Sequence, residues 1–72
     1  MPDTARPIAS FQLADTLTTE YATVKQGVIS TRHGWKIYRL EYHGVLIQRA
    51  DWPDFVYVPM HQVKNLAATL KP

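Results

Sequence analysis

Three histidines are the side chains in this sequence best suited to bind a metal ion: His33, His43 and His61. Zinc in proteins takes three or four ligands at about 2.0–2.3 Å, and the chain has no cysteine to share that role. His33 and His43 flank a predicted strand of about eight residues, which separates them by roughly 25 Å at about 3.3 Å per residue. We therefore predict no metal site, with two histidines in turns and the third at the start of a helix.

Asp51 and Asp54 are the nearest arrangement to a catalytic pair of carboxylates. They flank a Trp-Pro dipeptide, and aspartate beside proline is ordinary turn chemistry. Ser10 and Ser30 lack the sequence context of a nucleophile elbow, and the three glycines form no phosphate-binding loop. With no catalytic or cofactor motif in 72 residues, we expect a protein that is not an enzyme and uses no cofactor.

The charge distribution points instead to binding. Eight Lys and Arg residues against six Asp and Glu residues give a net charge of +2. Residues 1–20 contain one basic and three acidic side chains and sum to −2, whereas residues 21–72 contain seven and three and sum to +4. This excess of basic groups in the folded part mildly favours an anionic partner such as nucleic acid.

The length of the chain favours association as well. A domain of 72 residues obtains only about 3–5 kcal/mol from a single core, and without cysteine no disulfide can supplement it. A bound partner or a homodimer is the common remaining supplement. No apolar run approaches the roughly 18–20 residues of a membrane span, and the N-terminus lacks the pattern of a signal peptide. The expected location is the cytoplasm.

The positioning elements are strands, because β-branched and aromatic runs alternate with short Gly- or Pro-containing turns from residue 24 onward. Pro59 closes the last run and fits the first turn of a helix, in which apolar residues recur at helical spacing. The four predicted strands cover residues 28–31, 35–42, 45–48 and 55–58, and the helical stripe comprises Met60, Val63, Leu66, Ala67 and Leu70.

The predicted fold is therefore α+β, a four-stranded antiparallel β-meander with one C-terminal α-helix packed on one face. Residues 1–9 are expected to be a flexible leader, and residues 10–72 a single small domain. Residues 10–24 fit a short helix, an irregular segment or a strand equally well. Trp52, in the last turn, fits either a side chain tucked under the sheet or an interface anchor.

A two-residue turn at His43-Gly44 and a four-residue loop at 51–54 define the faces of this meander. One face is the predicted core and carries Tyr38, Leu40, Tyr42, Val45, Ile47, Val56 and Val58. The opposite face carries three aromatic residues where a solvated sheet would carry charges. That predicted binding face comprises Trp35, Ile37, Arg39, Glu41, Leu46, Gln48, Phe55 and Tyr57.

Three interpretations of the predicted binding face compete. Aromatic rings interleaved with Arg and Gln suit single-stranded nucleic acid, whose bases stack and whose phosphates need cations. The same face suits a protein interface, with a partner chain or a second copy. Residues 10–24 could also fold back and bury it. We expect nucleic-acid binding first and protein binding as the alternative. The candidate contact residues are Arg32, Trp35, Ile37, Arg39, Gln48, Phe55 and Tyr57.

Overall fold

The computed structural model describes residues 5–66, whose regular structure is nine short strands and two 3₁₀ turns. The turns are formed by Thr31–His33 and Met60–Gln62. The strands are β1 (Ala5–Pro7), β2 (Ser10–Leu13), β3 (Leu17–Thr18), β4 (Thr23–Val24), β5 (Gly27–Ser30), β6 (Trp35–Leu40), β7 (Gly44–Arg49), β8 (Val56–Pro59) and β9 (Val63–Lys64).

Two segments of the chain each contribute one strand to both of the larger sheets: residues 5–13 contain β1 and β2, and residues 27–40 contain β5 and β6. β1 pairs with β6, β2 pairs with β5, and both ladders are antiparallel. Between them, the Ile8 N–H donates to the Ile37 carbonyl at 3.1 Å and the Thr31 N–H donates to the Ala9 carbonyl at 3.0 Å. The order across the molecule is thus β9, β1–β2, β5–β6, β7 and β8. The small hairpin of β3 and β4 connects β2 to β5.

The predicted C-terminal helix is wrong for the residues described. Pro59 leads into the second 3₁₀ turn, and the chain then pairs with β2, placing Val63 opposite Leu13. A short helix is marginal in water by itself, whereas the edge of β2 offers backbone hydrogen-bond partners. Val63 and Leu66 still pack against the core. Ala67 and Leu70 lie outside the described residues.

The expected meander is correct only for β6, β7 and β8, which pair in sequence order. β5 pairs with β2 instead of with the next strand along the chain. Part of the expected flexible leader is also ordered, because Ala5–Pro7 forms β1 and the Ile8 side chain is buried. The fold is accordingly β with several small antiparallel sheets, and the α+β prediction is incorrect.

The core takes side chains from β2 and from β4 to β8, and no polar or charged side chain of residues 5–66 is buried in it. Trp52 is tucked into it and meets Trp35 edge to face, with ring centres 5.3 Å apart. No helix of the described residues is long and apolar enough to cross a membrane. The buried side chains are Ile8, Phe11, Leu13, Val24, Ile29, Trp35, Ile37, Val45, Ile47, Trp52 and Val58.

The turn between β6 and β7 differs from the expected two-residue turn. Leu40 pairs with Gly44, so residues 41–43 form the loop, and Glu41 adopts a positive φ of 46°. Gly44 is the first residue of β7, and glycine is required there because a Cβ would lie 2.2 Å from the Val58 carbonyl oxygen. The β6–β7 register moves by three residues, an odd number, so every β6 side chain changes face. The β7–β8 register moves by two, which preserves the faces and places Leu46 opposite Tyr57.

Candidate functional site

The predicted binding face does not form as one surface, because the register change turns β6 over. Trp35 and Ile37 are 9% and 2% exposed and belong to the core. Phe11 and Leu13, from the segment whose conformation the sequence left open, lie in the same core cluster. Trp35 and Ile37 are therefore buried because β6 is turned over, in the same core cluster as Val45, Ile47 and Val58, and not because residues 10–24 cover a separate face.

The two candidate arginines are separated from Phe55 and Tyr57. Arg39 lies on the same side of β6 as Ile37, is partly buried, and donates from Nε to the Glu41 carbonyl at 3.2 Å. Arg32 is exposed in the first 3₁₀ turn, where the Ser30 hydroxyl accepts its backbone N–H at 3.1 Å. Neither arginine contributes a cation to the surface that carries Phe55 and Tyr57.

Gln48, Phe55 and Tyr57 do come together, on the side of the sheet opposite the core. Tyr38, Leu46 and Tyr57 stand directly opposite one another across β6, β7 and β8. Phe55 meets Tyr38 edge to face with ring centres 5.5 Å apart. We call these five residues the outer face. The sequence placed Tyr38 in the core, and only the true length of the 41–43 turn would have corrected that.

The outer face is partly exposed and almost uncharged. Tyr57 is 48% exposed, and its hydroxyl donates to the His43 carbonyl, which fixes the ring. Gln48 donates from Nε2 to the Trp52 carbonyl at 3.3 Å. Lys36, paired with Gln48, is the neighbouring cation. The surface therefore offers rigid aromatic and aliphatic contact area with little charge.

A groove of about 380 Å³ borders the outer face. The β3–β4 hairpin forms one wall and residues 54–57 form the other. Its charged side chains are Glu20 and Asp54, and its lining includes no basic residue. Hydrogen bonding to Glu20, desolvation and the negative charges of Glu20 and Asp54 raise the pKa of Tyr21 above its ordinary value. We call this site the acidic groove.

A second groove, of about 330 Å³, is more basic. Lys25, Arg49 and Asp51 are its charged lining residues, and Trp35 and Trp52 line it as well. The Arg49 guanidinium carbon lies 5.0 Å from the centre of the Trp35 ring, a cation–π contact. Because both indoles are buried and Arg49 covers one of them, this basic groove lacks a free ring on which a base could stack.

Most basic side chains of the described residues have no acidic partner. Within residues 5–66, one ion pair has a nitrogen–oxygen distance of 4.0 Å or less, and it joins Arg6 Nε to Glu41 Oε2. No three His, Asp or Glu residues in this part of the chain lie close enough to hold a metal ion. The basic residues outside that ion pair are Lys25, Arg32, Lys36, Arg39, Arg49 and Lys64.

Comparison with protein-family models, with curated proteins and with solved structures found no match to this chain.

Proposed function

We propose that this protein is a non-enzymatic binding module whose outer face contacts another protein. The observation that carries the proposal is the row formed by Tyr38, Leu46 and Tyr57, which is uncharged and crosses three strands. Tyr57 is half exposed at one end of this row. Aromatic residues are enriched in protein interfaces, and partly exposed apolar patches on small domains mark interaction sites.

The charges around the outer face favour a protein over nucleic acid. A nucleic-acid platform needs cations beside its rings to neutralise phosphates. The outer face has Lys36 next to it, but the acidic groove on its border contributes Glu20 and Asp54. These carboxylates repel phosphates and leave an uncharged protein surface unaffected. Protein binding, which was the alternative to nucleic-acid binding in the sequence analysis, is therefore the leading proposal.

The test is a charge placed at the centre of the outer face, by Leu46→Glu. A tagged protein is used for affinity capture, and each captured protein is purified and titrated against the variants by calorimetry. We expect Leu46→Glu to weaken the reconstituted complex at least about tenfold, as for a central interface residue. Tyr57→Ala, which removes a half-exposed ring, is the second variant if Leu46→Glu does not fold.

The matched control is Val28→Glu, which introduces the same charge at a 60% exposed apolar position on β5. This control is expected to bind like the wild type. Equal binding by all variants would contradict the proposal. Sedimentation of the purified protein over a range of concentrations tests whether the partner is a second copy. A dimer that Leu46→Glu dissociates would support the proposal in its homodimeric form.

Nucleic-acid binding is the second candidate, favoured by the six basic side chains without an acidic partner. Labelled single-stranded DNA, duplex DNA and RNA are titrated by fluorescence anisotropy at about 50 and 200 mM salt. This function predicts submicromolar binding that weakens with salt and a smaller salt dependence for Arg39→Ala and Arg32→Ala. No binding at the lower salt would eliminate it. The expected cytoplasmic location stays a prediction for either function.

A further inference from the structure

Both walls of the acidic groove end in a strand edge. β3 pairs with β4 alone and β8 pairs with β7 alone in the described part of the chain. The groove lies between them, lined by Leu17 and Thr18 on one side and by Phe55, Val56 and Tyr57 on the other. An unpaired strand edge presents backbone donors and acceptors and accepts a further strand.

The hydrogen-bond pattern of β8 indicates which groups face outward. The Met60 N–H donates to the His43 carbonyl at 3.1 Å, in the same register as the β7–β8 ladder. Because bonds to one neighbour alternate along an antiparallel strand, Val56 and Val58 direct their backbone groups to β7. The N–H and the carbonyl of Tyr57 therefore point to the free edge.

The β3 wall is held in place by its own turn. The Thr19 hydroxyl accepts the backbone N–H groups of Tyr21 and Ala22, each at 3.0 Å, and donates to the Ala22 carbonyl at 2.8 Å. The Thr19 N–H also donates to the Ala22 carbonyl, at 2.9 Å. A turn fixed by its own hydrogen bonds needs little ordering when a ligand arrives, which favours binding.

The charge of the groove selects its ligand. Glu20 and Asp54 are exposed, and neither lies within 4.0 Å of a cationic group of the described residues. Asp54 accepts the backbone N–H of Phe55 at 2.8 Å, which fixes its carboxylate at the rim. Leu17 and Val56 are the aliphatic residues of the same lining. A complementary ligand carries positive charge together with apolar side chains.

We propose that the acidic groove binds an extended segment of a partner protein in which Lys or Arg alternates with apolar residues. This inference rests on the proposed function, since it names the part of the protein partner that binds beside the outer face. The segment adds a strand to the free edge of β8 and bonds to the backbone of Tyr57. Side chains alternate in direction along a strand, so basic residues meet the carboxylates while apolar residues contact Leu17 and Val56.

Defined peptides test this proposal. A fluorescein-labelled peptide of about eight residues, alternating Lys and Val, is titrated by anisotropy up to about 1 mM. A Glu–Val peptide of the same length is the charge control, and a Lys–Val peptide N-methylated at alternate residues cannot pair with a strand edge. We expect the Lys–Val peptide to bind at least about tenfold more tightly than either control. Equal binding of the Lys–Val and Glu–Val peptides would overturn the proposal.

The protein variants locate the site. Glu20→Gln combined with Asp54→Asn removes both charges and retains an acceptor for the Phe55 N–H, so folding is expected to be preserved. It should weaken binding of the Lys–Val peptide about tenfold or more, whereas Glu41→Gln, outside the groove lining, should have no effect. Amide NMR shifts on titration should be largest at Leu17, Thr18 and Tyr57. Shifts confined to another surface would overturn the proposal.

The two proposals fail separately. If Leu46→Glu, which lies outside the groove lining, abolishes a partner complex while no peptide binds, the groove inference is wrong and the proposed function stands. If the Lys–Val peptide binds through Glu20 and Asp54 while Leu46→Glu leaves every complex unchanged, the outer face is not an interface. Binding then resides in the groove.

Discussion

Gly44 is the residue at which backbone geometry determines the fold most directly. Its φ is +154°, and a Cβ added there would lie 2.2 Å from the Val58 carbonyl oxygen, a backbone atom that cannot move away cheaply. Gly44→Ala is therefore expected to lower the free energy of unfolding by roughly 1–3 kcal/mol, the usual cost of overpacking. Urea unfolding followed by tryptophan fluorescence measures this change.

Gly27→Ala is the matched control for that substitution. Gly27 has a similar φ of +142°, but nothing lies within 4 Å of a Cβ added there. Both variants therefore share the backbone strain, and only Gly44→Ala adds a steric clash. A loss of stability that is no larger for Gly44→Ala than for Gly27→Ala would contradict the close approach of β7 and β8.

The ionisation of the Tyr21 hydroxyl is a second property that a single residue determines. Hydrogen bonding to Glu20, desolvation and the charges of Glu20 and Asp54 raise the pKa of Tyr21 above its ordinary value of 10.0. As the pH rises, the Tyr21 hydroxyl therefore ionises in the unfolded chain before it ionises in the folded protein. Its contribution to the free energy of unfolding is present in full below about pH 10 and is lost as the pH rises further. Phenolate absorbance of the wild type minus that of Tyr21→Phe gives the titration. Glu20→Gln should lower this pKa, and an unchanged titration would contradict the assignment.

At the scale of elements, Trp52 anchors the loop between β7 and β8. Its ring is 7% exposed and contacts both Trp35 and Tyr21, each with ring centres 5.3 Å apart. Trp52→Ala should cost about 3–5 kcal/mol, which is comparable to the whole stability of a domain of this size. We therefore expect that variant to be largely unfolded by circular dichroism.

The control for Trp52 is an aromatic truncation in the other turn of the same sheet. Tyr42 is 84% exposed in the 41–43 loop, so Tyr42→Ala is expected to change stability by no more than about 0.5 kcal/mol. If Trp52→Ala were as stable as Tyr42→Ala, the loop between β7 and β8 would not depend on its buried indole.

Element types were easier to predict than element partners. The residues of β6, β7 and β8 follow from their β-branched and aromatic content. The chain does turn at 32–34, with Gly34 at a φ of 86°, but through a 3₁₀ turn between strands that do not pair with each other. The pairing of β5 with β2 and of β9 with β2 joins residues far apart in sequence. Local patterns do not encode such pairs, because an unpaired strand edge accepts any segment that the rest of the fold delivers to it.

At the scale of the whole molecule, the four-stranded and the three-stranded sheets are joined through continuous segments of the chain and should unfold together. Residues 5–13 contain β1 and β2, and residues 27–40 contain β5 and β6, so each of these two segments contributes to both sheets and to one core. We expect a single cooperative urea transition, with coincident curves from tryptophan fluorescence and far-ultraviolet circular dichroism. Separate midpoints for the two signals would show that one sheet unfolds independently.

The sequence by itself determined four strands, β5 to β8, and the apolar residues that β7 and β8 direct inward. Val45, Ile47 and Val58 were predicted in the core and are fully buried, because side-chain alternation is local to a strand. Tertiary structure alone decided which face of β6 is buried. That choice depends on whether Gly44 belongs to the turn or to β7, and in the structure it pairs within β7, between Leu40 and Pro59. The turn has three residues where the sequence predicted two, and β6 is therefore turned over. Trp35 and Ile37 consequently lie in the core, and Tyr38 lies on the outer face.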